Sequence, residues 1–279
     1  MRDLFRYDGK RALVVGCASG MGAATAQILA SLGAEVHGVD YMEPDFDLAG
    51  FTRCDLREPA QIESMIAGHN GPVHSLFYCA GLPPTSPPLE VMKVNFAAMR
   101  AVVEGMQSSV ARGGSIAIIA STGGLHFMER MPQIMELLGT DGFDGAMSWC
   151  EAHEDVVADG YVFSKEAITV YTMKRALQVV ESGVRVNCIS PSATATPMMP
   201  KFEEASSPET IALFLGPMDR KAEPEEMGWP LAFLNSEAAG FITGLNLVVD
   251  GGFLAGVMTG AIDVDSLIAK AMATQATKS

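Results

Sequence analysis

A doubly wound, parallel α/β sheet is the fold class this sequence predicts, on three observations. Short apolar or β-branched runs recur at 12–15, 35–39, 72–78, 115–120, 184–189 and 245–249, each followed by a longer stretch with helical spacing. The runs are uniformly apolar rather than alternating, as strands covered on both faces by helices must be. A glycine-rich turn, Gly16, Gly20 and Gly22, stands between the first run and the first helical stretch. A further short strand near Phe51–Cys54 brings the expected sheet to about seven strands, within a single domain spanning 1–279.

Two segments break the rhythm. Residues 125–159 carry HFMERMPQIMELLG and DGFDGAMSWCEAHEDVV, which read as two short helices inserted into the domain. Residues 195–228 are interrupted by Pro197, Pro200, Pro208, Pro217 and Pro224, yet hold Met198, Met199, Phe202, Leu213, Phe214 and Leu215. A loop this apolar reads as a lid over a hydrophobic ligand. The tail beyond Gly252 carries no site signal.

Composition narrows the function classes. A net charge of −14 repels phosphodiester backbones and anionic lipid, so neither nucleic acid nor a membrane surface is an expected partner. With 48% apolar and 19% charged residues, the chain is a packed globule. The uncharged stretch Ala12–Ala34 is long enough to cross a bilayer, but its glycines and serines read better as strand, turn and helix. Cys17, Cys54, Cys79, Cys150 and Cys188 are odd in number and lack a C-x-x-C pair, which points to a reducing cytoplasm. No secretory leader is visible at the N-terminus. His37, His69, His74, His126 and His153 show no ligand spacing, so no metal is expected.

The glycine turn carries the first chemical reading. Without side chains at these positions, the backbone approaches a pyrophosphate closely, and the free N–H groups of the following helix favour its charge. Alone, the motif could equally be a structural turn. The next strand ends at Asp40, 20 residues beyond Gly20, where a carboxylate accepts both hydroxyls of an adenosine ribose and repels a 2′-phosphate. The expected cofactor is therefore NAD. Asp55 could meet the adenine edge after the third strand.

Tyr161 and Lys165 stand at i and i+4 near the start of an apolar-faced helix, so their side chains share a face. A cation held near a phenol favours the phenolate. Lowering its pKa by ~2–3 units toward neutrality takes about 3–4 kcal/mol. Ser121 ends the fifth strand at the sheet's carboxyl edge and can donate to a substrate oxygen. Asn95 begins or interrupts the helix after the fourth strand, either as a plain cap or as the holder of a water that relays protons to Lys165.

Taken together, VVGCASGMG at 14–22, Asp40, CDL at 54–56, CAG at 79–81, Asn95, Ser121, YVFSK at 161–165, PSATATP at 191–197 and DGG at 250–252 resemble the short-chain dehydrogenase/reductase pattern. The likeness covers almost the whole chain. It implies a single Rossmann-type domain in which Tyr161 is the acid/base, Lys165 binds the nicotinamide ribose and tunes Tyr161, Ser121 orients the substrate oxygen and Asn95 completes a proton relay. It also implies NAD contacts from Gly16, Ser19, Gly20, Met21, Gly22, Asp40, Tyr41, Asp55, Leu56, Cys79, Ala80, Gly81, Pro191, Thr194 and Thr196. The chain departs from the pattern at Val15, Cys79, Ala120 and Ser192, of which Cys79 most affects local hydrogen bonding.

Ser121 and Tyr161 are 40 positions apart, far more than is usual in the family. That insertion, with KAEPEEM at 221–227, is similar to bacterial 3α-hydroxysteroid dehydrogenase/carbonyl reductases and coniferyl-alcohol dehydrogenases, in which the insertion covers a helix face that other members use for tetramer contacts. A homodimer is the implied assembly. Leu125, Phe127, Met128, Met198, Met199 and Phe202 are either ordinary core or an adaptable wall for a hydrophobic alcohol or ketone: a steroid, a terpene or an aromatic alcohol. A primary aromatic alcohol and a non-catalytic NAD-sensing role are the alternative functions.

Overall fold

In the computed structural model, residues 3–206, 211–212 and 214–263 are described. Seven strands form one sheet: β1 (Arg11–Val15), β2 (Glu35–Asp40), β3 (Gly50–Arg53), β4 (Val73–Tyr78), β5 (Val110–Ile119), β6 (Arg185–Pro191) and β7 (Asn246–Val249). Their order is β3-β2-β1-β4-β5-β6-β7, and every pairing is parallel. The order reverses between β1 and β4, which opens a crevice at the carboxyl ends of those strands.

Period-two alternation along these apolar strands sorts side chains onto the two faces. Leu13, Val15, Leu76, Tyr78, Ile116 and Ile118 enter one core cluster; Ala12, Val14, Phe77, Ala117 and Ile119 enter the other. On the second face lie α1 (Gly20–Ser31) and α10 (Pro224–Asn235), which pack on each other. On the first lie α2 (Pro59–Gly68), α3 (Pro88–Met92), α4 (Met99–Gly105) and α8 (Tyr161–Val179). Both faces are thus covered, and the strand residues Ser115 and Asn187 are buried with Asn235 O and Ile242 O as hydrogen-bond acceptors. The uncharged stretch Ala12–Ala34 resolves into β1, the glycine turn and α1, and among the described residues no helix is long and apolar enough to cross a membrane.

Between β5 and α8 the chain forms three helices where the sequence pattern gives two: α5 (Met131–Leu137), α6 (Gly142–Ala152) and α7 (Glu154–Val157). Their attachments are polar as well as apolar. Arg100 donates to the carbonyl and hydroxyl oxygens of Thr140, and Lys174 Nζ donates to the Leu138 carbonyl at 3.2 Å. Arg130 Nε donates to the buried Glu166 carboxylate at 2.8 Å, with its guanidinium 5.1 Å from the centre of the Phe163 ring. Trp149 stacks on the same ring. The first turn of α8 is therefore clamped from the side of the inserted helices.

In the expected lid, α9 (Met199–Ala205) follows the strand end of β6. Leu213 and residues 207–210 of that segment lie outside the described residues. A bridge between Thr194 and Ala222 ties the base of the segment to the start of α10, and α11 (Phe253–Met258) follows β7.

Candidate active site

Three backbone hydrogen bonds continue the parallel ladders past the strand ends. Gly16 N donates to Val39 O, Cys79 N to Val15 O and Ala120 N to Ile189 O, at 2.7–2.8 Å. These bonds bring the glycine turn, the CAG segment and Ser121 to one edge of the sheet. Gly16 is in the left-handed region at φ +83°. A Cβ there would strike the Ala80 backbone, and one at Gly22 would strike the Gly16 carbonyl oxygen. The space against α1 exists only because these residues are glycine. Ser19, the N-cap of α1, makes no side-chain cap bond, so the first N–H groups of the helix are free of it.

The Asp40 carboxylate is held at the end of β2 by two backbone donors, Ala18 N to Oδ2 at 3.0 Å and Met42 N to Oδ1 at 3.1 Å. It stands beside the glycine turn with Tyr41 exposed next to it. Asp55 stands just after β3, where the sequence puts it. Its carboxylate is gripped by the Arg57 guanidinium through bonds of 2.9 and 2.6 Å, which holds the acid below its ordinary pKa. The side chain of Leu56, next to it, belongs to the core cluster.

Beyond the turn, a cavity of about 270 Å³ opens at the sheet edge. Met21, Cys79, Ala80, Gly81, Ser121, Tyr161, Lys165, Pro191, Thr194 and Thr196 line it, as do Met198, Met199 and Phe202 from the lid. Leu125 and Phe127 do not. Leu125 follows the 3₁₀ turn Thr122–Gly124 and leaves the edge there, while Phe127 packs on the core and Met128 is exposed. The expected wall from the insertion is therefore supplied by the lid and by Leu82, Pro84 and Val162 instead.

Lys165 is buried, and its Nζ donates to the Ile119 carbonyl at 2.9 Å, 5.7 Å from the centre of the Tyr161 ring. Burial pulls its pKa down to about 8. The Tyr161 phenol is pushed up to about 12, mainly by burial, against a hydrogen bond to Ser121 that favours the phenolate. The lysine was expected to lower that pKa. In the protein alone burial dominates, and the Asp159 charge adds to the upward push. Phe202 meets Tyr161 edge to face at 5.0 Å and adds to this burial.

Asn95 lies fully buried in a π-helical segment, Lys93–Ala98, between α3 and α4, so it does interrupt the helix after β4. Its Oδ1 accepts from Leu82 N at 2.7 Å; its Nδ2 donates to Leu82 O at 3.3 Å and to Ser164 Oγ at 3.2 Å. Both amide hydrogens are thus engaged, and the second lone pair of Oδ1 is the remaining position for a relay water. A side chain at Gly81 would stand 3.3 Å from this oxygen and 3.9 Å from Lys165 Nζ, so the glycine keeps the space between them open.

Two residues of this constellation escaped the sequence reading. Ser164 donates to the Tyr161 carbonyl at 2.7 Å while receiving the Asn95 amide. Asp159 caps α8 by accepting from Tyr161 N and Val162 N at 2.9 and 3.2 Å, and it lines the cavity. The signal for the latter was an Asp just ahead of an apolar-faced helix.

Comparison with known proteins gives the same picture. A family model described as short chain dehydrogenase matches residues 10–133, and one described as enoyl-(acyl carrier protein) reductase matches 150–254. The chain is 32% identical to a coniferyl-alcohol dehydrogenase from Pseudomonas sp., over 87% of this chain and 96% of that one. It is also 32% identical to a 3-alpha-hydroxysteroid dehydrogenase/carbonyl reductase from Comamonas testosteroni, over 86% and 95%. The crystal structure of a 3-alpha-hydroxysteroid dehydrogenase from Pseudomonas sp. B-0831, complexed with NADH, superposes with a TM-score of 0.76 at 27% identity, covering 91% of this chain and all of that one.

Proposed function

Because the chain belongs to the short-chain dehydrogenase/reductase family, oxidoreductases that work with a nicotinamide dinucleotide, we propose that it uses NAD to interconvert a secondary alcohol and ketone on a hydrophobic ring compound. The observation that carries this reading is the convergence of Tyr161, Ser121 and Lys165 on one cavity beside the glycine turn. The residues fit the cofactor: a side-chain-free cradle at Gly16 and Gly22, a helix N-terminus for the phosphates, and the Asp40 carboxylate for an unphosphorylated ribose. Bound there, the dinucleotide supplies the hydride acceptor or donor.

The chain's own groups handle the proton and the oxygen. Ser121 Oγ holds the substrate oxygen, and Tyr161 gives a proton to it in reduction or takes one from it in oxidation. With its pKa raised, Tyr161 keeps its proton at neutral pH and is poised as an acid; oxidation is favoured as the pH rises. Lys165 and Asn95 stand behind Tyr161 as the route by which its proton is replaced. Residues such as Leu82, Met198, Met199, Phe202 and Phe214 supply the apolar wall. This wall supports a steroid, terpene or aromatic substrate over a sugar.

A primary aromatic alcohol is the second reading, favoured by the likeness to the coniferyl-alcohol enzyme. The assembly in this reading is a homodimer, since the Leu138–Thr140 corner covers part of the α4/α8 face. The test is formation of NADH, followed by its absorbance, across secondary ring alcohols, primary aromatic alcohols and polyols. Turnover confined to the ring alcohols is expected. NAD binding without turnover of any of them would replace this reading with that of a sensor.

A further inference from the structure

The cavity carries one acid at its rim. Asp159 is exposed, and its Oδ1 is fixed by the N–H groups of Tyr161 and Val162, so the carboxylate is held within two residues of the catalytic phenol. Its Oδ2 has no protein partner among the described residues. Only one other charged side chain among the described residues lines the cavity, Lys165, and its ammonium is buried against the Ile119 carbonyl. Among the described residues, no arginine or histidine is present on that lining to receive an anion. The remaining surface is mostly apolar, and the whole chain has a net charge of −14.

Resting on the function proposed above, we propose that Asp159 is a specificity-determining residue that makes the site select uncharged alcohols and ketones and turn away substrates bearing a carboxylate. A carboxylate in the cavity loses hydration, meets no cation at the rim and faces a fixed like charge. A neutral group of the same shape suffers none of these. Because Asp159 is exposed, its effect is partly screened and is removed further by salt, whose screening length drops from ~10 Å at 0.1 M to ~3 Å at 1 M.

The experiment compares 4-hydroxycyclohexanecarboxamide with 4-hydroxycyclohexanecarboxylate, which have nearly the same shape and differ in charge. The amide is expected to have at least a tenfold higher kcat/KM at low ionic strength, a difference of about 1.4 kcal/mol. Asp159→Asn keeps the Oδ1 acceptor that caps α8 and is expected to reduce this preference several-fold; raising sodium chloride toward 1 M is expected to reduce it in the unaltered enzyme. An amide-to-carboxylate ratio near one, or a ratio that Asp159→Asn leaves unchanged, overturns the inference while leaving the alcohol dehydrogenase reading standing. If the asparagine variant fails to fold, Asp159→Ser, which keeps an oxygen acceptor ahead of α8, is measured in its place. Failure to oxidise either compound or any other ring alcohol removes the underlying function, and this inference with it.

Discussion

The ammonium of Lys165 rests on the main-chain carbonyl of Ile119 at 2.9 Å, one helical turn beyond Tyr161, with no carboxylate partner among the described residues. Its folded pKa, about 8, is below its ordinary value of 10.5, so its charged form destabilises the fold at neutral pH. Between pH ~8 and ~10.5 the unfolded chain binds more protons at this site than the folded one, and the group's contribution to stability rises with pH. Lys165→Met is therefore expected to stabilise the protein at pH 7 by about 3 kcal/mol relative to its advantage at pH 10.5. Urea denaturation at the two pH values measures this, and a difference that does not change with pH would contradict it.

Tyr161→Phe keeps the ring against Phe202 and removes the hydroxyl to which the proposed function assigns proton exchange. Turnover is expected to fall by about 10²–10⁴-fold with NAD affinity changed by less than about threefold. Retention of more than about a tenth of the original rate would refute the assignment of the acid/base.

Asp40→Ala removes the carboxylate to which the proposed function assigns the choice of an unphosphorylated ribose. The ratio of kcat/KM for NAD over NADP is expected to drop by about 10-fold or more. Because Asp40 also holds Ala18 and Met42, thermal unfolding of the cofactor-free variant is measured alongside. An unaltered ratio would exclude the ribose role.

The Arg130–Glu166 pair joins the inserted helices to the residue after Lys165. Removing Arg130 strands a carboxylate that is nearly out of reach of water. Arg130→Met is expected to cost about 3–5 kcal/mol, and the double variant Arg130→Met/Glu166→Leu to recover most of it. A loss below about 1 kcal/mol for the single variant in chemical denaturation would show that the clamp carries little energy.

Most of the fold was legible because buried parallel strands and intervening helices leave a strong pattern, from Ala12–Val15 to Leu245–Val249. The start of β5 at Val110 was not, since Arg112, Gly113 and Gly114 interrupt its apolar run. Tyr161, Lys165, Ser121 and Asn95 could be picked out from spacing and strand-end position. The balance of forces on Tyr161 could not: a sequence shows that a lysine is one turn away, but not how far both groups are removed from water. Leu125 failed as a wall residue for a related reason, since a single 3₁₀ turn decides where an inserted segment leaves the sheet.

The π-helical segment around Asn95 has a consequence for how this molecule could be altered. Such a segment houses an additional residue while the α-helical turns on either side keep their phase. Removing one residue from Lys93–Ala98 would let the segment relax to ordinary helix, with Met99, Val102 and Val103 still facing the interior. The amide of Asn95 would swing away from Leu82 and Ser164. A single-residue deletion there would separate the packing of α4 from the placement of the Asn95 amide.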